Sequence, residues 1–142
     1  MKADASNRLV LDASIAVSWC FEDEQTSYTE RVLDRLAGGT EAVVPALWAF
    51  EIANALLTAE RRQRLTAAQS TVFLEQLGNF DITVDTAPLP RIFGRVVDEA
   101  RRWRLTAYDA AYLELALRQG LPLATLDDTL KKVAHTMGVR LL

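Results

Sequence analysis

The amino-acid sequence predicts an α/β domain in which a parallel sheet is covered by helices on both faces. Three observations carry this. The 142 residues suit one domain, taken here as 1–142 with a polar segment, Met1–Asn7, at its start. Short apolar runs alternate with segments of helical period, the pattern of parallel strands joined by helical crossovers. The apolar runs lack alternation, as strands buried on both faces do.

The elements follow in order. Leu9-Val10-Leu11 is an apolar run ending at Asp12 and predicts the first strand. A helix is expected over Ser14–Phe21 and an acidic loop over Glu22–Gln25. Thr26–Ala37 is an amphipathic helix closed by Gly38-Gly39. Ala42–Val44 predicts a second strand, and Pro45 opens a helix to about Arg64. Thr66 caps a helix to Leu77, and Phe80–Val84 alternates as a strand. Helices are expected over Pro90–Trp103 and over Ala107–Gln119, the latter ended by Gly120. Leu121–Thr125 predicts a strand, Asp127–Thr136 a helix and Val139–Leu142 a last strand.

Composition narrows the chemistry. The single cysteine, Cys20, allows no internal disulfide and no Cys-based zinc site. The single histidine, His135, lies in the last predicted helix, away from any nucleophile pair, and reads as an ordinary surface residue. Trp19, Trp48 and Trp103 read as core, with base stacking as the alternative. No apolar run is long enough to span a bilayer, and Met1–Asn7 has no apolar segment of the signal-peptide type. A cytoplasmic location is the expectation. The net charge is −3, unlike the basic footprint of a generic nucleic-acid binder.

In open parallel sheets ligands sit beyond the carboxyl ends of the strands, which directs attention to the acids there. Asp12 follows the first strand, and Asp127 lies just past the strand ending near Thr125. Asp109 is in the first turn of the Ala107 helix. Each has an ordinary explanation as a helix-capping acid, with Thr106–Asp109 and Thr125–Asp128 spaced as capping boxes. Glu51 has none. Its helical neighbours are Leu47, Trp48, Asn54 and Ala55, so it lies on a largely apolar stripe, and the alternative for it is a buried pairing to an arginine. Four acids converging with no Lys or Arg near them in sequence, apart from Lys131 and Lys132, need a counter-cation, and an all-oxygen donor set selects a hard divalent ion, Mg²⁺ or Mn²⁺. Their spread along the chain excludes an EF-hand loop.

The same residues carry a family resemblance. Leu9-Val-Leu-Asp-Ala-Ser14, Glu51-Ile-Ala-Asn-Ala-Leu56, Leu105-Thr-Ala-Tyr-Asp-Ala-Ala-Tyr112 and Leu123-Ala-Thr-Leu-Asp-Asp-Thr-Leu130 resemble, in order, the four motifs of the PIN domain. The variety resembled is the VapC-type toxin nuclease of bacterial toxin–antitoxin pairs. The resemblance spans about Arg8 to Leu142. It implies a three-layer α/β/α sandwich around a mostly parallel sheet, and a homodimer. It implies a Mg²⁺-dependent endoribonuclease, neutralised by a VapB-type antitoxin and touching DNA only through that partner. Asp12, Glu51, Asp109 and Asp127 would be the catalytic, metal-holding acids. Ser14 and Thr125 would support them, with Asn54 and Asp128 as weaker candidates. The Thr-x-Asp register favours Asp127 over Asp128.

The expected reaction is phosphodiester hydrolysis by in-line attack of a water that the divalent ion activates. Candidate RNA contacts are Arg61, Arg62 and Arg64 after the Glu51 helix, Arg101, Arg102 and Arg104 before Asp109, and Lys131 with Lys132 after Asp127. Helix C-termini favour basic residues in any case, which is the competing explanation. The apolar surplus over Ser14–Phe21 and at Leu47, Trp48 and Phe50 suggests a dimer surface or an antitoxin groove. A housekeeping PIN nuclease and, more distantly, a receiver-like Mg²⁺ phosphoacceptor domain are the alternatives. With the four acids set aside as metal ligands, fifteen acids face sixteen bases, so the acidic total does not exclude RNA.

Overall fold

The computed structural model describes residues 7–142, so the expected polar segment lies, Asn7 apart, outside the described residues. Four strands form one sheet in the order β3-β2-β1-β4. They are β1 (Arg8–Leu11), β2 (Glu41–Pro45), β3 (Ile82–Asp85) and β4 (Leu123–Ala124), and every pairing is parallel. The chain steps outward from β1 to β3, then returns to place β4 on the other side of β1. Such a reversal of winding opens a crevice beyond the carboxyl ends of β1 and β4.

Helices α1 (Ala13–Ser18), α2 (Ser27–Ala37), α3 (Leu47–Arg61) and α4 (Ala67–Leu77) form the first two crossovers. After β3 come α5 (Leu89–Arg91), a π-helical stretch over Ile92–Val96 and α6 (Val97–Trp103), which run on as one rod of helical backbone. Helices α7 (Ala107–Gln119) and α8 (Asp128–Thr136) complete the set. The α/β/α sandwich around a parallel sheet is as expected.

Local chemistry explains the boundaries. Thr26 and Thr29 cap α2 reciprocally: Thr29 N donates to Thr26 Oγ1 at 3.2 Å and Thr26 N donates to Thr29 Oγ1 at 2.9 Å. Thr66 and Gln69 do the same for α4. Gly120 ends α7 at φ 66°, where a side chain would be strained. Val10, Leu11, Val44, Tyr112, Leu113 and Leu123 are fully enclosed at the centre of the core. Trp48 is buried there, and Trp19 and Trp103 pack against it.

Four expectations need correction. The last strand shrinks to a single bridge, Leu123 to Leu141, and β4 keeps two residues instead of five, because the chain beyond Thr125 turns to serve the site. Pro45 ends β2 instead of opening α3, since it still pairs in register with Asp85. Helix α3 stops at Arg61, where Gln63 takes φ 60°. β3 is an edge strand with Thr83 and Val84 exposed, so not every strand is covered on both faces.

A carboxylate edge beyond β1 and β4

Asp12 is where the crevice begins. It is the N-cap of α1 and is buried, yet its carboxylate serves more than the helix. Oδ2 accepts hydrogen bonds from Thr125 Oγ1 at 2.6 Å and Ser14 Oγ at 2.9 Å. The two hydroxyls are themselves anchored: Asp127 N donates to Thr125 Oγ1 at 3.1 Å, and Leu126 N donates to Ser14 Oγ at 3.1 Å. The loop after β4 is thereby stitched to the loop after β1. Thr125 spends its hydroxyl on Asp12 and not on a capping box with Asp128, so that part of the sequence reading does not hold. Asp127 caps α8, with Leu130 N donating to its Oδ1 at 2.7 Å. Capping and site placement are therefore compatible in the same residue.

The other two acids arrive on helices. Asp109 sits in the first turn of α7, whose cap Thr106 accepts from Asp109 N at 3.1 Å. Burial raises the Asp109 carboxyl above its usual range, and the charges of Asp127 and then Asp12 add to this. Glu51, one turn into α3, is half-buried. Burial raises its carboxyl too; the hydrogen bond from Tyr112 pulls it back, while Asp12 and Asp109 push it further up. Glu51 thus lies within reach of the Asp12 and Asp109 charges, and Asp109 within reach of Asp127 and Asp12.

Tyr112 is the residue that spacing alone does not reveal. It is fully buried, donates from its hydroxyl to Glu51 Oε1 at 2.6 Å and accepts from Ala13 N at 3.3 Å. Burial and the adjacent Glu51 hold its phenol well above the usual range, so it remains a donor at any ordinary pH. It lies one turn beyond Asp109 on α7 and closes the third motif, which is the signal the sequence carries for it.

The supporting candidates divide. Ser14 and Thr125 touch Asp12 directly. Asn54 and Asp128 are exposed, and neither is hydrogen-bonded to the four acids among the described residues. Of the basic candidates, Arg64 is engaged elsewhere: it pairs with Asp23 at 3.2 Å and Glu24 at 3.1 Å and lies over the Phe21 ring. Arg61 reaches Thr58, and Arg102 lies over Trp103. Arg62, Arg101 and Arg104 are exposed, and Arg104 ends α6 in left-handed backbone at φ 56°.

Among the described residues, none of the four acids has an ion-pair partner, although Arg8, Arg64 and Arg118 all pair with other acids. No three His, Cys, Asp or Glu side chains among them are drawn together as a closed ligand shell. The donor chemistry fits Mg²⁺, which keeps several waters and takes only one or two carboxylates directly.

These features define a protein class, and comparison agrees. The family model of the PIN domain matches residues 9–136, and the chain belongs to that family. It is 30% identical over 120 residues to Ribonuclease VapC3 of Pyrobaculum aerophilum, spanning 84% of this chain and 89% of that one. The crystal structure of PAE2754 from the same organism aligns with TM-score 0.69 at 26% identity, over 94% of this chain and 83% of that one. FitAcB from Neisseria gonorrhoeae shares the fold with TM-score 0.64 at 17% identity, over 94% of this chain and 96% of that one. A toxin–antitoxin complex from Klebsiella pneumoniae shares it with TM-score 0.59 at 16% identity, over 84% and 86%. The resemblance read from the four motifs is thus borne out.

Proposed function

We propose that this chain is a divalent-metal-dependent endoribonuclease, with Mg²⁺ as its ion and Mn²⁺ as a substitute, acting as the toxin of a toxin–antitoxin pair. One observation supports this above the rest. Four carboxylates from four separate elements lie around the crevice beyond β1 and β4, with Glu51 feeling the charges of Asp12 and Asp109, and Asp109 those of Asp127 and Asp12, and none has a basic partner among the described residues. Folding alone gains nothing from such an arrangement, whereas a hard cation resolves it.

Asp12, Glu51, Asp109 and Asp127 would hold the ion directly or through water. When bound, it supplies Lewis-acid neutralisation of the phosphoryl charge and lowers the pKa of water. The protein's own part is positional. Thr125 and Ser14 fix one Asp12 oxygen, Tyr112 fixes one Glu51 oxygen, and in each carboxylate the second oxygen faces fewer protein donors. His135 is exposed on α8, so general-base attack by a ribose 2′-hydroxyl has no histidine to serve it among the acids.

The name of the VapC3 relative supports RNA as substrate, and the VapC-type resemblance supports a VapB-type antitoxin as partner. A homodimer is supported by exposed Phe50, Leu89, Phe93 and Tyr108, on helices that flank an apolar cavity of about 420 Å³ lined by Leu47, Ile92 and Ala111. None of the four acids lines that cavity, whose apolar wall suits a protein surface. The test is Mg²⁺-dependent cleavage of RNA by purified protein. Asp12→Ala and Asp109→Asn are expected to abolish it, and full activity in either contradicts the site assignment.

A further inference from the structure

A second feature beside the acids concerns how a substrate would be held. Tyr28, on α2, is half-buried and packs against the core, so its ring is a fixed post. Two cations from different elements converge on that ring. The Arg31 guanidinium, one turn on along α2, stands 5.7 Å from its centroid, and Lys131 Nζ, from α8, stands 5.3 Å from it. Both distances are within cation–π range. Lys131 is one turn from Asp127, whose carbonyl accepts from Lys131 N at 2.9 Å. Tyr28 is within electrostatic reach of Asp12, and Lys131 follows Asp127 by one turn, which puts the post beside the carboxylate edge.

Among the described residues neither Arg31 nor Lys131 has an ion-pair partner. Arg64, by contrast, is consumed by Asp23 and Glu24, and Arg118 by Asp85 and Glu114. Lys131 thus stands one turn from Asp127 without pairing to it, and Arg31 joins it on the same ring. The ring holds them where an incoming anion meets both.

We propose that Tyr28, Arg31 and Lys131 form a grip for the phosphodiester backbone of single-stranded RNA, with Tyr28 setting the positions of the two cations. The proposal rests on the ribonuclease reading and adds where the strand is held. Because the ring is engaged by cations, the grip recognises phosphate and not base identity.

The test measures binding of a fluorescein-labelled, mixed-sequence single-stranded RNA by anisotropy across a salt series, with Ca²⁺ replacing Mg²⁺ to withhold cleavage. Arg31→Ala and Lys131→Ala are each expected to raise Kd by roughly three- to tenfold and to reduce the salt slope by about 0.7, one phosphate contact each. Arg31→Lys and Lys131→Arg keep the slope. Tyr28→Phe keeps the grip, whereas Tyr28→Leu loosens both cations at once. With Mg²⁺, the alanine variants raise KM and leave kcat unchanged. Unchanged Kd and slope in both alanine variants, with wild type binding RNA, overturn the grip and spare the nuclease reading. Failure of the wild type to bind or cleave RNA overturns both.

Discussion

Asp12 shows how one side chain serves two levels of structure. It caps α1, as its position after an apolar strand predicts, and it organises two hydroxyls that tie separate loops together. Tyr112 does comparable work for Glu51, bridging residues 61 positions apart. Tyr112→Phe keeps the ring and removes the donor. It is expected to weaken Mn²⁺ binding, read by electron paramagnetic resonance, by about tenfold or more. In a Glu51→Gln background the same change is expected to add little; equal effects in both backgrounds would mean the hydroxyl acts elsewhere. The acids stood out as candidates because three fall at one edge of a parallel sheet and Glu51 lies on an apolar stripe with no capping role. Tyr112 did not, because a buried tyrosine on a helix is ordinary until its hydroxyl partner is located in space.

At the scale of elements, helices were read more accurately than strands. Caps such as Thr26, Thr66, Thr106 and Gly120 are local signals and survive folding unchanged. Strand ends depend on partners distant in sequence. β4 is short because Thr125 leaves the ladder to reach Asp12, and the final segment pairs at one point only. The end of α6 exposes a cost. Arg104 holds φ 56° where glycine is normally found, so Arg104→Gly is expected to stabilise the fold by about 1 kcal/mol in thermal or urea unfolding. Gly120 occupies a similar conformation at φ 66° with open space around it. Gly120→Ala is therefore expected to cost about 1 kcal/mol from backbone strain alone. A stabilising Gly120→Ala would contradict the cap geometry.

The whole molecule carries its charge unevenly. The net −3 conceals a repelling group of acids and an exposed apolar face that carries Leu89 and Phe93. Phe93→Glu on that face is expected to shift the protein to monomer in light scattering, while an unchanged mass would remove the face from the dimer account. The acids set a pH dependence. Folding raises the carboxyls of Glu51 and Asp109, so the folded state binds more protons than the unfolded state between their ordinary and raised values. Stability of the metal-free protein is therefore expected to fall as pH rises through that window. Asp109→Asn removes one of these charges. It is expected to stabilise the metal-free protein by about 0.5–2 kcal/mol and to flatten the pH slope. Added Mg²⁺ should stabilise wild type above the window and the variant far less.

The four acids are proposed to hold a divalent ion for RNA hydrolysis. The most direct measurement follows RNA cleavage and melting temperature together, for wild type and Asp109→Asn, as Mg²⁺ is titrated into metal-free protein. The account predicts that in wild type cleavage and stabilisation rise over the same Mg²⁺ range, and that Asp109→Asn is more stable without metal yet inactive. Cleavage that persists in excess EDTA, or an Asp109→Asn variant as active as wild type, would contradict it.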